Sequence, residues 1–251
     1  RSRWLGDVYK RQACLLEFPY DGHMRTAYQH QLDTLKTHLQ DLLQQATRNL
    51  QLATSALLNA DLSAAEQVIS GADKLSVDAH EMACLALDLL ALQAPVATDL
   101  RQIVSALNSI SDARQMTVHA LHIADLARDH HPDCCVPDEA IDLIEAMSKL
   151  ATAEGHTAVQ VLDELDIDTA RWLGERHLRM RDYREAALAL VRTSSCTFTP
   201  HQAADLALLA HYLERFGDYA VDSAQRVIYL VTGEDPELDE LSDTTQEIAD
   251  Q

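Results

Sequence analysis

Glycine and proline are scarce in this chain, 7 and 6 in 251 residues, and aromatic residues make up only 5% of it. Hairpins draw on Gly, Pro and Asn at their turns, so this supply is too small to close the strands of a sheet protein, and an all-α fold is predicted. The five cysteines, Cys14, Cys84, Cys134, Cys135 and Cys196, form no CxxC pair and no evident disulfide framework, as in a reduced, cytoplasmic protein. Basic residues are also few. Lys and Arg total 20 against 40 Asp and Glu, a net charge of −20, and such a surface repels nucleic acid phosphates. Long hydrophobic runs are missing too: MACLALDLLALQAPVA is broken by Asp88 and Gln93 and is too short and too polar to span a bilayer. Neither ExxH nor HExxH occurs, which removes the usual di-iron and zinc-protease signatures.

What is present is helical periodicity, in enough chain for one large domain or two small ones with real cores. Residues 1–23 have no apolar period and read as a non-native or disordered leader, with Met24 as the better start. That segment holds four Lys and Arg and three Asp and Glu, so the remainder keeps 16 basic and 37 acidic residues, a balance of −21. With it set aside, no secretory signal is read. Six long helices are predicted, at about 28–58, 61–93, 98–127, 140–165, 169–192 and 200–231. Asp61 or Ser63 can cap the second, and Pro95 separates it from the third, where Thr98 or Asp99 can begin the new helix and Arg101 can reach across the turn. Helices of about 28 residues are about 42 Å long, which suits an elongated bundle. The tail 234–251 is acidic, has no apolar face and is expected to be disordered.

The six helices repeat. Sliding the third by 100 residues onto the sixth aligns Met116 with Phe216, Ala120 with Ala220 and Ala124 with Ala224. Two tandem three-helix bundles are therefore expected, at 24–129 and 136–233. The core seam of the sixth helix would be Leu206, Leu209, Leu213, Phe216, Ala220, Val227 and Val231.

The stretch LERFGDYAVDS, residues 213 to 223, carries Glu214, Asp218 and Asp222 on successive turns, and with His211 they form a stripe nearly opposite that seam on a helical wheel. Like charges at i, i+4 repel by roughly 0.2–0.5 kcal/mol per pair, and Gly217 costs a helix about 1 kcal/mol relative to Ala. The stripe is expected to face outward. It reads either as a solvated acidic face or as a surface cation site, with His211 as a further possible ligand and Gly217 leaving room for an ion, a neighbouring helix or a partner.

MRTAYQHQLDTL, LALQAPVATDLRQIVSAL and YLERFGDYAVDSAQRVIYLVTGE together resemble the PhoU family, from Met24 to Glu234, with wording similar to its actinobacterial branch. The resemblance implies two tandem three-helix bundles, commonly dimeric, in an accessory regulator that restrains phosphate uptake and the phosphate-starvation response. Its implied partners are the Pst phosphate transporter ATPase, a PhoR-type sensor histidine kinase and a second copy of the chain. It implies no catalytic residues and no membrane insertion, only a cytoplasmic protein held at the inner face of the membrane through its partners. It also implies a surface E/D-x-x-x-D metal site for a divalent or trivalent ion such as iron, zinc, manganese or magnesium. Here that motif falls on Glu214 and Asp218, with Asp222 one turn on and Tyr219 where the family often has His. In the first half, ARQMTVHALH puts Arg114 and Val118 at the two carboxylate positions, and Asp112 and His122 make no ladder, so a cation is expected only in the second half. HHPDCC offers His130, His131, Cys134 and Cys135, but adjacent pairs cannot easily converge on one tetrahedral ion, and a plain loop is expected. His119 and His122 are expected to be satisfied or exposed helix histidines.

Overall fold

The computed structural model describes residues 22–193 and 198–234. Among them are six α-helices, one short 3-10 turn at Asp138–Ala140, and no strand. The helices are α1 (Gly22–Asn59), α2 (Leu62–Gln93), α3 (Ala97–His130), α4 (Ile141–Glu164), α5 (Ile167–Arg192) and α6 (Pro200–Thr232). The expected all-α class and the six-helix order are therefore observed. Most of the expected leader 1–23 and all but the first residue of the tail 234–251 lie outside the described residues. Two compact units result, one ending at Thr34 and one beginning at Leu35. In the first, Thr34 Oγ1 donates to the His30 carbonyl at 2.8 Å; every candidate site residue belongs to the second.

Local chemistry sets most helix ends. Asp61 caps α2 by accepting from the Ala64 N–H at 3.2 Å. Asp166 caps α5, accepting from the N–H groups of Asp168 and Thr169 at 3.0 and 3.2 Å. Those hydrogen bonds, led by one from the Thr169 hydroxyl, hold the Asp166 carboxyl below its usual range. Thr199 and Gln202 form a reciprocal capping box with Pro200 at the first helical position, and Gly233, at φ 81°, ends α6 in the left-handed region. The α2–α3 junction differs from expectation. Val96 is its N-cap with no side-chain bond, and Thr98 instead accepts from Arg101 Nη2 at 3.3 Å. Arg101 Nε also donates to the Leu230 carbonyl at the far end of α6.

Helix α6 is the hub. It packs against α3, α4 and α5, while α2 packs against α3 and α4 against α5. Helices α3 and α6 run antiparallel: Arg101 meets Leu230, Asp112 meets Ser223 and Arg226, His119 stacks on Tyr219, and His130 reaches Asp205. The residues aligned by the 100-residue offset, Met116 and Phe216, Ala120 and Ala220, and Ala124 and Ala224, are all fully buried. Leu206, Leu209, Leu213 and Val227 of the expected seam are buried too, but Val231 is 45% exposed in the last turn.

Candidate functional site

A helix covered by three neighbours buries more than one stripe, and this overturns the outward placement of Glu214. Glu214 is 7% exposed, and Asp218 and Asp222 are half-buried; His211 is exposed. The ladder lies against α5, whose stretch RWLGERHLRMRDYR supplies the compensating cations. Arg184 grips Glu214 with two nitrogens, Nε to Oε2 at 3.2 Å and Nη1 to Oε1 at 3.4 Å. Asp218 accepts from His177 Nε2 at 2.7 Å and from Arg215 at 3.1 Å. His177 Nδ1 meets Glu154 Oε1 at 3.1 Å, and Glu154, on α4, is completely buried.

These contacts explain both the charges and the glycine. Burial works against a charge on His177, but hydrogen bonds to Asp218 and Glu154 outweigh it and push its pKa up to about 9. Burial would raise Asp218, yet the His177 hydrogen bond and the Arg215 charge hold it below the usual carboxylate range. A Cβ at Gly217 would sit 2.5 Å from Glu154 Oε2 and 2.9 Å from His177 Cε1. The space at Gly217 is therefore taken by Glu154 and His177 packing from neighbouring helices.

As placed, Glu214, Asp218 and Asp222 do not converge on one point. Among the described residues, the only group of three or more His, Cys, Asp or Glu donors drawn together closely enough for an ion lies elsewhere. An ion on the ladder would have to displace Arg184 and Arg215, whose charges already neutralise it. Asp218 and Asp222 do line an open depression of about 590 Å³ with Glu175, His177, Arg171 and Arg181.

The first-half equivalents behave differently. Arg114 is exposed and Val118 half-buried. Asp112 is buried against Arg226 at 2.9 Å and Ser223 at 3.3 Å. Burial raises its pKa to about 6 against the pull of Arg226. His119 and His122 join Tyr212 and Tyr219 in a ring cluster between α3 and α6; His122 stacks on Tyr212 at 5.0 Å, and His119 on Tyr219 at 5.8 Å. Burial, helped by neighbouring His122 and His211, lowers His119 to about 4.

HHPDCC does not form a centre by itself, because its donors diverge. His131 Nδ1 contacts the Ala60 carbonyl at 3.1 Å, Cys134 Sγ donates to the Leu57 carbonyl at 3.4 Å, and burial pushes the Cys135 thiol up to about 12. His130 behaves otherwise, since α3 extends three residues beyond its expected end and carries this side chain to α6. There its Nε2 lies 3.0 Å from Asp205 Oδ2, the same oxygen that His201 Nδ1 approaches at 2.8 Å. This trio was missed in the sequence. The His201–Asp205 spacing of one helical turn was a visible signal, but its third member is 71 residues away from His201.

Comparison with known proteins agrees with this architecture. Residues 39–127 match the family model described as the PhoU domain. The chain is 39% identical over 216 residues to the phosphate-specific transport system accessory protein PhoU homolog 2 of Mycobacterium tuberculosis, covering 85% of this chain and 100% of the relative. It is 37% identical to homolog 1 of Mycobacterium leprae, over 86% of this chain and 97% of that one. Crystal structures of PhoU from Pseudomonas aeruginosa and of the regulatory protein PhoU from Streptococcus pneumoniae superpose with TM-scores of 0.77 and 0.74, each at 22% identity. They cover 82% and 83% of this chain, and 100% and 98% of their own.

Proposed function

Because the chain belongs to the PhoU family, we propose that it is an accessory regulator of phosphate-specific transport. It acts by protein contact, holding down high-affinity uptake and the phosphate-starvation response when phosphate is plentiful. The observation that carries this reading is the 39% identity running the whole length of a phosphate-specific transport accessory protein. The Pst-type ATPase and a PhoR-type kinase are the partners that this role requires, and a second copy of the chain is a third. With a net charge of −20, the chain favours basic partner surfaces through long-range attraction. Among the described residues no helix is long and apolar enough to cross a membrane, so contact with a transporter would run through protein surfaces.

The test is deletion of the gene in its host, followed by alkaline phosphatase and phosphate-uptake assays in high phosphate. Both should stay switched on, and the intact gene should restore repression. Unchanged repression after deletion would remove the proposal.

A divalent ion held by Glu214, Asp218 and Asp222 is a second reading, favoured by the shared opening of Asp218 and Asp222 into the depression beside α5. It requires Arg184 to leave Glu214. On that reading the Glu214→Ala, Asp218→Ala double variant loses bound metal, and a double variant with wild-type metal content rules the ladder out as a site.

A further inference from the structure

The trio His130, His201 and Asp205 stands apart from the ladder, at the start of α6 where the ladder occupies its middle. Its donor atoms all lie within 4.8 Å of one another. Two come from the start of α6 and the third from the last residue of α3, so two separate helices meet here. Asp205 is largely buried, its side chain 9% exposed, and its hydrogen-bond partners here are imidazoles rather than a Lys or Arg. An imidazole carries charge only when protonated. The carboxylate therefore sits with two nitrogen donors that are, in neutral form, good ligands for a metal.

We propose that His130, His201 and Asp205 bind one transition-metal ion of the zinc class, clamping the end of α3 to the start of α6. Zinc–nitrogen and zinc–oxygen bonds of about 2.0–2.2 Å in a tetrahedron place ligand atoms roughly 3.3 Å apart. The two nitrogen–oxygen distances, 3.0 and 2.8 Å, need to open only by a few tenths of an ångström. Two nitrogens and one carboxylate oxygen suit zinc, nickel or copper and are a poor set for magnesium or calcium, which prefer oxygen. His201 has its side chain 80% exposed, which gives the ion a way in and leaves a fourth position for water. The site is also held on its other side. His131 is tied to the Ala60 carbonyl and Cys134 to that of Leu57, so the chain just after His130 is anchored to the α1–α2 turn. The N-terminus of α6 works against a cation, and the Asp205 carboxylate, one turn in, offsets it.

The test uses the full chain after dialysis against a chelator, titrated with zinc chloride in competition with a chromophoric chelator. Wild type and the Glu214→Ala, Asp218→Ala variant should each hold one zinc per chain through this site, any ion on the ladder being a second one that only wild type holds. His201→Ala alters an exposed side chain and should leave folding intact while weakening zinc at least about tenfold. Asp205→Asn should weaken it as well, and cobalt should give the visible bands of a four-coordinate ion in wild type but not in His201→Ala. Wild type that takes up no zinc at micromolar free ion, or His201→Ala that binds as tightly as wild type, would overturn the assignment. So would displacement of zinc by an equal concentration of magnesium.

Discussion

Gly217→Ala should destabilise this protein, although helix propensity alone says the reverse. In an exposed helix interior, alanine in place of glycine gains about 1 kcal/mol. At 217 the added Cβ meets Glu154 Oε2 at 2.5 Å and His177 at 2.9 and 3.2 Å. Glu154 has no exposed surface to retreat into, and its other oxygen already holds His177. Overpacking a filled interior costs roughly 1–3 kcal/mol, and disturbing a hydrogen bond to a charged group costs about 1.5–3 kcal/mol. Less the helical gain, and allowing for overlap between the two costs, a net loss of about 1–4 kcal/mol is expected. For a chain of this size that is a fall in Tm of roughly 2–16 °C. Gly71→Ala is the internal control, because a Cβ there meets nothing within 4 Å. It should raise Tm by about 2–4 °C, from propensity alone. Thermal unfolding of the two variants beside wild type makes the comparison. If Gly217→Ala rises in step with Gly71→Ala, the packing of Glu154 and His177 into the glycine gap is not what occupies that space.

The charge on His177 predicts a pH dependence. Its folded pKa of about 9 lies above the ordinary 6.5, so its stabilisation is full below about pH 6.5 and is lost as pH rises through 9. The wild-type urea midpoint should fall across that window more steeply than that of His177→Gln, and equal slopes would refute the charged assignment. Removing the Asp61 cap with Asp61→Ala should cost about 1 kcal/mol in the same assay. Partner binding, measured by calorimetry against the transporter ATPase or the kinase, should weaken steeply between low and high salt; an affinity indifferent to salt would argue against an electrostatic dock.

Much of the scaffold is legible in the sequence. Asp61, Pro95 and Pro200 punctuate the helices, and the apolar spacing of Met116, Ala120 and Ala124 marks a buried face, because caps, breakers and core periodicity act over a few residues. The placement of Glu214 is not legible there. A helical wheel reports angles around one axis, and the hydrophobic seam suggests one buried side where three helices in fact crowd around α6. The cations that balance the ladder are visible as Arg181, Arg184 and His177, but nothing local says which face of α5 meets which face of α6.

The chain by itself determined its helices, several of their caps, its acidity and its family, since each follows from composition, short-range periodicity or the overall wording of the sequence. Only the tertiary structure decided that Glu214 is sealed under Arg184, that Gly217 accommodates Glu154 and His177, and that His130 joins His201 and Asp205. Those facts depend on the register of helices far apart in the chain, and register is set by the packing of whole faces rather than by any neighbouring residues.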